Sequence, residues 1–320
     1  MKKRVLFVLL LLIALAVCSF SVMNNLYFGR NISIVIEEGN SPANVVLQLK
    51  DTNAIPVLNF IPSNVLSKII GSRIKTGIYT AEKGQHFFEL IIKIRHGVAE
   101  KCSITFIPGK TIYDYTKQLE ENENFRGIIN VEINEGEILP DTYTFFCGIS
   151  KDSVFKHARQ KMKDFLSNAV ANVDFNTFYL QNETEVLILA SIIEKETGNS
   201  AERNQVAAVF KNRLIAGMKL QTDPTVIYQE SNKTGTLGRV LTRDDLRKFG
   251  EYNTYTISGL PIGPIANPSK ESILAVLNPA EIDSIYFVAT PDANGKHNFA
   301  KTYKEHLQNV EAYRNRGVAF

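Results

Sequence analysis

The chain opens on a basic tip, Met1-Lys2-Lys3-Arg4, and then runs uncharged from Val5 to Gly29, with a centre from Val5 to Val22 that is almost pure Leu, Val, Ile and Ala. About 20 apolar residues span a bilayer, so the run predicts a transmembrane helix. The Lys and Arg before it put the N-terminus in the cytoplasm. A cleaved signal peptide has the same charge order, but its apolar core is only about 7 to 15 residues. Cys18-Ser19-Phe20-Ser21 is an imperfect cleavage site, and Val17 before Cys18 fits a lipoprotein site poorly. All three readings place the body of the protein outside the cytoplasm.

Beyond the apolar run, β-branched alternation takes over. Ile32-Ser33-Ile34-Val35-Ile36 reads as a strand. Glu37 to Ser41 follows as a turn, and Ser41 can cap a helix through Leu49. The same order recurs at Gly77-Ile78-Tyr79-Thr80, followed by a turn at Glu82 to Gln85 and an amphipathic helix from Phe87 to Ile94. A third copy has Cys102 to Ile107 as strand, Pro108-Gly109-Lys110 as turn and Thr111 to Leu119 as helix. The spacing is too irregular for a solenoid. The unit resembles the LysM module, a small βααβ fold that binds N-acetylated sugar polymers; any small α+β domain would give similar alternation. Residues 121 to 182 form a connector with a polar, Lys-rich helix from Ser153 to about Ala171.

From Glu183 the pattern changes. Val186 to Ile193 is apolar on every side, which predicts a core helix, stopped by Gly198. Leu187, Ala190, Ser191 and Glu194 share one face by helical spacing, whereas Glu196 is turned about 200° away and is expected to face water. A carboxyl at the edge of an apolar wall has its charged form disfavoured, as a general acid requires. The same position also suits a helix-end ion pair with Arg203 or Lys195. Ser200 can cap a second helix carrying Val206, Val209, Phe210 and Arg213. A loop through Leu220 then leads to a third helix, with Asp223 as N-cap and Pro224 in its first turn. Gln221 and Thr222 have no such structural role and are free to donate to a ligand. Gly259 to Pro268, with two glycines and three prolines, predicts a rigid loop. Ile285 to Ala289 reads as a buried strand and Asn294-Gly295 as a turn toward His297, which suits either a ligand contact or a solvated turn.

Composition narrows the classes. The 320 residues are 44% hydrophobic and 22% charged, as in ordinary globular chains. A net charge of +3 gives no basic face for nucleic acid. Trp is absent, so sugar stacking falls to Tyr and Phe. Cys102 and Cys147 can pair in an oxidising compartment, but their sequence does not show that they meet. No CxxC or Cys/His cluster has metal spacing, so neither a metal site nor a cofactor is expected.

Several motifs together resemble the endolytic murein transglycosylases (YceG-like). These are Ala190 to Thr197, Glu202-Arg203 with Val206 to Phe210 and Asn212-Arg213-Leu214, and Leu220 to Tyr228. Tyr252-Asn253-Thr254-Tyr255, the Gly259–Pro268 loop, and His297 with Phe299, Thr302, Glu305 and His306 continue in the same order. Glu135-Gly136 with Pro140 to Tyr143 precedes them. Ile262, Ser269 and Leu307 depart from the usual pattern, which bears on loop stiffness and substrate-length preference.

The resemblance implies an α+β protein with a membrane-anchoring helix and cytoplasmic tip (1–30), a LysM-like α+β subdomain (31–125) and an α+β catalytic domain (126–320) whose buried helix carries the catalytic glutamate. It implies a single-pass inner-membrane protein with a periplasmic catalytic domain that cuts peptidoglycan glycan strands internally and terminates nascent strands. Peptidoglycan synthases, the penicillin-binding proteins, are then expected partners. The resemblance assigns the acid to the first Glu of Glu-Lys-Glu-Thr, Glu194. It would protonate the glycosidic oxygen and, as carboxylate, take the proton of the sugar's own 6-hydroxyl, leaving a 1,6-anhydro end. Gln221, Thr222, Tyr228, Asn253, Tyr255, Asn267 and His297 are the candidates for holding sugar and acetamido groups. Two rivals stand beside this reading. A hydrolytic muramidase needs a second carboxylate, Glu196 or Asp223 first, and a non-catalytic murein-binding scaffold needs none.

Overall fold

The computed structural model describes residues 25–37, 39–292 and 295–315. Residues 1–24 of the expected membrane anchor and Asn294 of the expected turn lie outside them, whereas residues 25–30, placed at the anchor's end by the sequence, fold into the first unit, with Leu26 and Phe28 buried in its core and the Phe28 N–H donating to the Gln85 carbonyl at 3.0 Å. Among the described residues no helix is long and apolar enough to cross a membrane.

The chain forms two units of mixed α+β structure. The first comprises the described residues up to Ser103 with Glu123–Arg126 and Thr144–Ser150; the second holds Ile104–Asn122, Gly127–Tyr143 and the described residues from Lys151 onward. In the first, β1 (Ile32–Ile36) leads into α1 (Pro42–Asp51), whose N-cap Ser41 forms a reciprocal capping box with Asn44. A short 3-10 turn at Pro56–Phe60 and α2 (Ser63–Ile70) follow, then β2 (Gly77–Ala81), antiparallel to β1 with Ile34 opposite Tyr79. The alternation of β1 turns Ile32, Ile34 and Ile36 inward, where they meet Val45, Leu49, Leu66, Ile70 and Tyr79 in one core. Next comes α3 (Phe87–His96), which buries Phe87, Leu90, Ile91 and Ile94 and ends on Gly97 in the left-handed conformation. The expected strand–turn–helix order is thus present, but α2 was not foreseen.

The chain continues along β3 (Lys101–Thr105), which pairs with β4 (Thr142–Phe146) across the intervening α4 (Ile112–Glu120). Cys102 and Cys147 form a disulfide with Cα atoms 5.1 Å apart.

The second unit begins its helical part with α5 (Lys151–Ala169) and is built around α6 (Glu183–Glu196), where Val186 and Ile188 to Ile193 are buried. Helix α6 packs on α7 (Arg203–Ile215), α8 (Asp223–Glu230) and, after the short α9 (Arg243–Arg247), on α10 (Lys270–Leu277). Their shared core includes Val206, Phe210, Ile273 and Val276. The strand pair β5 (Tyr286–Ala289) and β6 (His297–Ala300) is antiparallel and is followed by α11 (Tyr303–Arg314). Strand β5 is half-buried along its length rather than buried, because only a two-stranded sheet covers it.

Candidate active site

Helix α6 ends on two carboxyls that its geometry sends to different faces, and the two surroundings differ sharply. Glu194 is 7% exposed and is held from all sides. Its Oε1 lies 3.3 Å from Arg203 Nη2. Its Oε2 accepts from the Ser269 backbone N–H at 2.9 Å, from Ser272 Oγ at 2.7 Å, and from Ser269 Oγ. Ser269 is the N-cap of α10, so the carboxyl ties the starts of α7 and α10 to the end of α6. Beside it, Lys195 Nζ donates to the Gly109 carbonyl at 3.3 Å.

Glu196 does not face water as expected. It is half-buried on the wall of a pocket of about 190 Å³ floored by Phe210, Leu220 and Phe287. Arg213, Gln221, Thr222, Asp223 and Tyr255 complete the lining. The reason is local. Gln221 adopts a left-handed φ of 49° and its N–H donates to the Thr254 carbonyl at 3.2 Å, which folds the loop back over the helix end. Thr222 rather than Asp223 is the N-cap of α8, but it makes no side-chain capping bond; its hydroxyl donates to Glu196 Oε1 instead. Burial raises the pKa of Glu196, with the Asp223 carboxylate adding to it and the Thr222 hydroxyl, His297 and Arg213 opposing. Across the pocket, Tyr255 Oη donates to Asp223 Oδ1 at 2.6 Å. Burial first, and that bond second, raise the phenol pKa.

Of the candidate binding residues, Gln221, Thr222 and Tyr255 meet in this pocket. His297 lies close enough to act on the Glu196 charge, with its Nδ1 3.0 Å from Glu202 Oε2 and its N–H donating to Glu202 Oε1 at 3.1 Å. It is therefore fixed by a carboxylate rather than solvated in a turn. Three candidates are committed elsewhere. Asn253 is fully buried and its Nδ2 donates to the carbonyls of Asp245, Leu246 and Lys248, closing the end of α9. Asn267 is fully buried too; its Oδ1 accepts from Ile138 N–H at 3.1 Å and its Nδ2 donates to Lys110 O at 3.1 Å. Tyr228 is 2% exposed and edge-on to Tyr252.

Two charged groups that the sequence names only as parts of motifs, with no role of their own, turn out to be at least half-buried and hydrogen-bonded. Arg213 sits at the base of the pocket, with Nη1 donating to Leu220 O at 2.5 Å and Nε to Ile285 O at 2.7 Å. Its signal was an arginine on the same helical face as Val206, Val209 and Phe210, where an apolar residue belongs. Glu135 accepts from Ile112 N–H at 2.8 Å and from Asn267 Nδ2 at 3.3 Å. Burial pushes its pKa up to about 7. The following Gly136 has φ 81°, and a Cβ there would lie 2.9 Å from Pro264 Cγ, which explains the glycine in that motif. Among the described residues no cluster of His, Cys, Asp or Glu could hold a metal.

Comparison with known proteins identifies the family. Residues 34–312 match the YceG-like family. An endolytic murein transglycosylase of Bacillus subtilis (strain 168) is 37% identical over 180 residues, which are 56% of this chain and 48% of that protein. One of Streptococcus pneumoniae (strain ATCC BAA-255 / R6) is 31% identical over 57% of this chain and 32% of its own length. The match thus spans half or less of these curated relatives. The crystal structure of a yceG-like protein from Listeria monocytogenes aligns with a TM-score of 0.52 at 25% identity, covering 87% of this chain and 98% of that one.

Proposed function

The chain belongs to the YceG-like family, and from that membership and the pocket at the end of α6 we propose that it is an endolytic lyase of peptidoglycan glycan strands. The single observation that carries the chemistry is Glu196: a half-buried carboxyl of raised proton affinity, on the wall of an open pocket, gripped by one hydroxyl. A carboxyl that holds its proton more tightly than usual can give it to a glycosidic oxygen as the bond breaks. As carboxylate it then takes the proton of the 6-hydroxyl, which closes on the anomeric carbon and leaves a 1,6-anhydro-MurNAc end. The nucleophile is part of the substrate, so one carboxyl suffices.

The motif resemblance assigned the acid to Glu194. The geometry favours its neighbour, because Glu194 is enclosed by Arg203, Ser269 and Ser272, while Glu196 has open pocket in front of it. In this reading Glu194 holds α7 and α10 in register beneath the site. Gln221, Thr222 and Tyr255, with His297 steadied by Glu202, are the groups that would hold sugar and acetamide.

The remaining parts of the proposal are an uncleaved inner-membrane anchor within residues 1–24, a periplasmic body, a LysM-like murein-binding module in the first unit, and peptidoglycan synthases as partners. The first is supported by the length of the apolar run and the third by the β1-α1-α2-β2 order with β1 and β2 antiparallel. Asp223, on the same pocket as Glu196, gives the hydrolytic muramidase reading a specific footing, since hydrolases use two carboxyls.

The test incubates the full chain in detergent with purified glycan strands and reads the products by mass spectrometry. Internal fragments with anhydro ends, absent for Glu196→Gln and present for Glu194→Gln, are the expected result. Loss in Glu194→Gln alone, with its fold intact, would return the acid to Glu194. Ends one water heavier would mean a hydrolase, with Asp223→Asn next, and binding without cleavage would mean a scaffold.

A further inference from the structure

Tyr255 lines a second pocket besides that of Glu196. This one has a volume of about 480 Å³ and is bounded by Lys219, Arg243, Leu246, Arg247, Tyr255 and Thr256. Three of the six lining residues are cations and none is an anion. Lys219 is fixed in place, its Nζ donating to the carbonyls of Tyr255 at 3.1 Å and Thr256 at 3.3 Å. Arg243 and Arg247 are exposed, and neither makes an ion pair or side-chain hydrogen bond among the described residues.

Nothing in the fold requires this charge. Arg243 and Arg247 stand four residues apart on α9, where like charges repel. The helix is capped by others: Thr242 and Asp245 at its start, and the Asn253 amide at its end. Asp245, the buried carboxylate on the same helix, is taken by Arg239, with Nη2 2.8 Å from Oδ1. Two arginines that repel one another and satisfy nothing leave a concave site whose unmet need is an anion. Guanidinium groups suit a carboxylate, which they can bind through two parallel bonds.

We propose that this pocket takes a carboxylate of the peptide stem carried by the sugar at the cleavage site. The inference rests on the glycan-strand reading above. The scissile bond is that of the sugar bearing the stem, so the stem leaves the ring beside the reacting centre. Tyr255 lines both the Glu196 pocket and the pocket of the three cations, so the two are neighbours. A γ-linked glutamate and a free C-terminus give the stem carboxylates. A stripped strand offers only its lactyl carboxylate, which is shorter.

The test titrates the full chain in detergent with three soluble murein fragments, followed by calorimetry. These are a disaccharide-tetrapeptide, the same fragment with its stem carboxylates amidated, and the disaccharide with its lactyl carboxylate and no peptide. Cleavage of strands with and without stems is measured beside it. The first fragment is expected to bind about tenfold tighter than the amidated one, and Arg243→Gln/Arg247→Gln to abolish that difference, raising KM about tenfold on stemmed strands only. Equal binding of the first two fragments, or a difference untouched by the double variant, would overturn the proposal. Tightest binding of the peptide-free fragment, lost in the variant, would overturn it in favour of the lactyl carboxylate. Absence of cleavage with the binding difference intact would count against the lyase reading and leave the stem site standing.

Discussion

Glu194 and Glu196 leave the same turn of α6 about 200° apart, and what covers each face separates their roles. Removing the charge of Glu194 strips the counterion from Arg203, which is only 12% exposed. Breaking such a pair from one side costs about 3 kcal/mol. For a unit of this size that is a fall in melting midpoint of roughly 6–12 °C, so Glu194→Gln is expected to melt early by calorimetry. Glu196→Gln removes a charge that burial already disfavours and is expected to melt at or above the parent. The rate has a pH signature as well. A donor must be protonated, so cleavage is expected to fall as pH rises through the raised Glu196 value. The Thr222 hydroxyl stabilises the anion, and Thr222→Val should shift that falling limb of the kcat profile to higher pH. A limb that does not move would remove Glu196 from the proton transfer.

At the scale of elements, α1, α3, α4 and α6 were legible because each combines an apolar stripe or core with a local cap. Helix α2 escaped because two prolines, Pro56 and Pro62, frame a 3-10 turn ahead of it and hide the short stripe of Leu66 and Ile70. Helical spacing turns Glu196 away from Glu194, and the face it turns to is a pocket wall rather than open solvent. Helical periodicity gives the direction of a side chain, but the cover over that face comes from residues 220–223, brought in by the left-handed Gln221. The two buried asparagines show the converse limit. A polar residue in a motif reads as a ligand contact until the carbonyls it satisfies are seen. Asn267 belongs to a clamp in which Glu135 joins the start of α4 to the Gly259–Pro268 loop. The Glu135 pKa rises on folding, from 4.5 to about 7, because the carboxyl is buried. The unfolded state therefore loses its proton first, and stability falls between about pH 4.5 and 7, by at most about 3 kcal/mol, then levels. Urea midpoints across that window should fall less steeply in Glu135→Gln than in the parent; an unchanged slope would place the titration elsewhere.

At the scale of the molecule, the described residues pack into two cores, one of Ile34, Val45, Leu66, Tyr79 and Phe87, the other around Ile188, Phe210 and Ile273. The disulfide belongs to the first unit, and the Glu196 pocket lies wholly within the second. Sequence alone left the pairing of Cys102 and Cys147 open, because spacing says nothing of which strands lie side by side; it is the pairing of β3 with β4 that brings the two together. Closing a loop with a sequence separation of 45 restricts the unfolded chain and stabilises the native one by about 4 kcal/mol in the chain-entropy account. The double variant Cys102→Ala/Cys147→Ala is expected to lower the denaturation midpoint of the first unit by that order. Hydrogen exchange should report the loss on β1, β2 and α3, whose amides draw their protection from that core. Cleavage below the midpoint should persist, since no atom of the Glu196 pocket comes from the bridged residues. A variant that keeps its exchange protection but loses cleavage would mean that the first unit acts on the strand itself, and the bridge would then have to be counted among the features that serve the substrate.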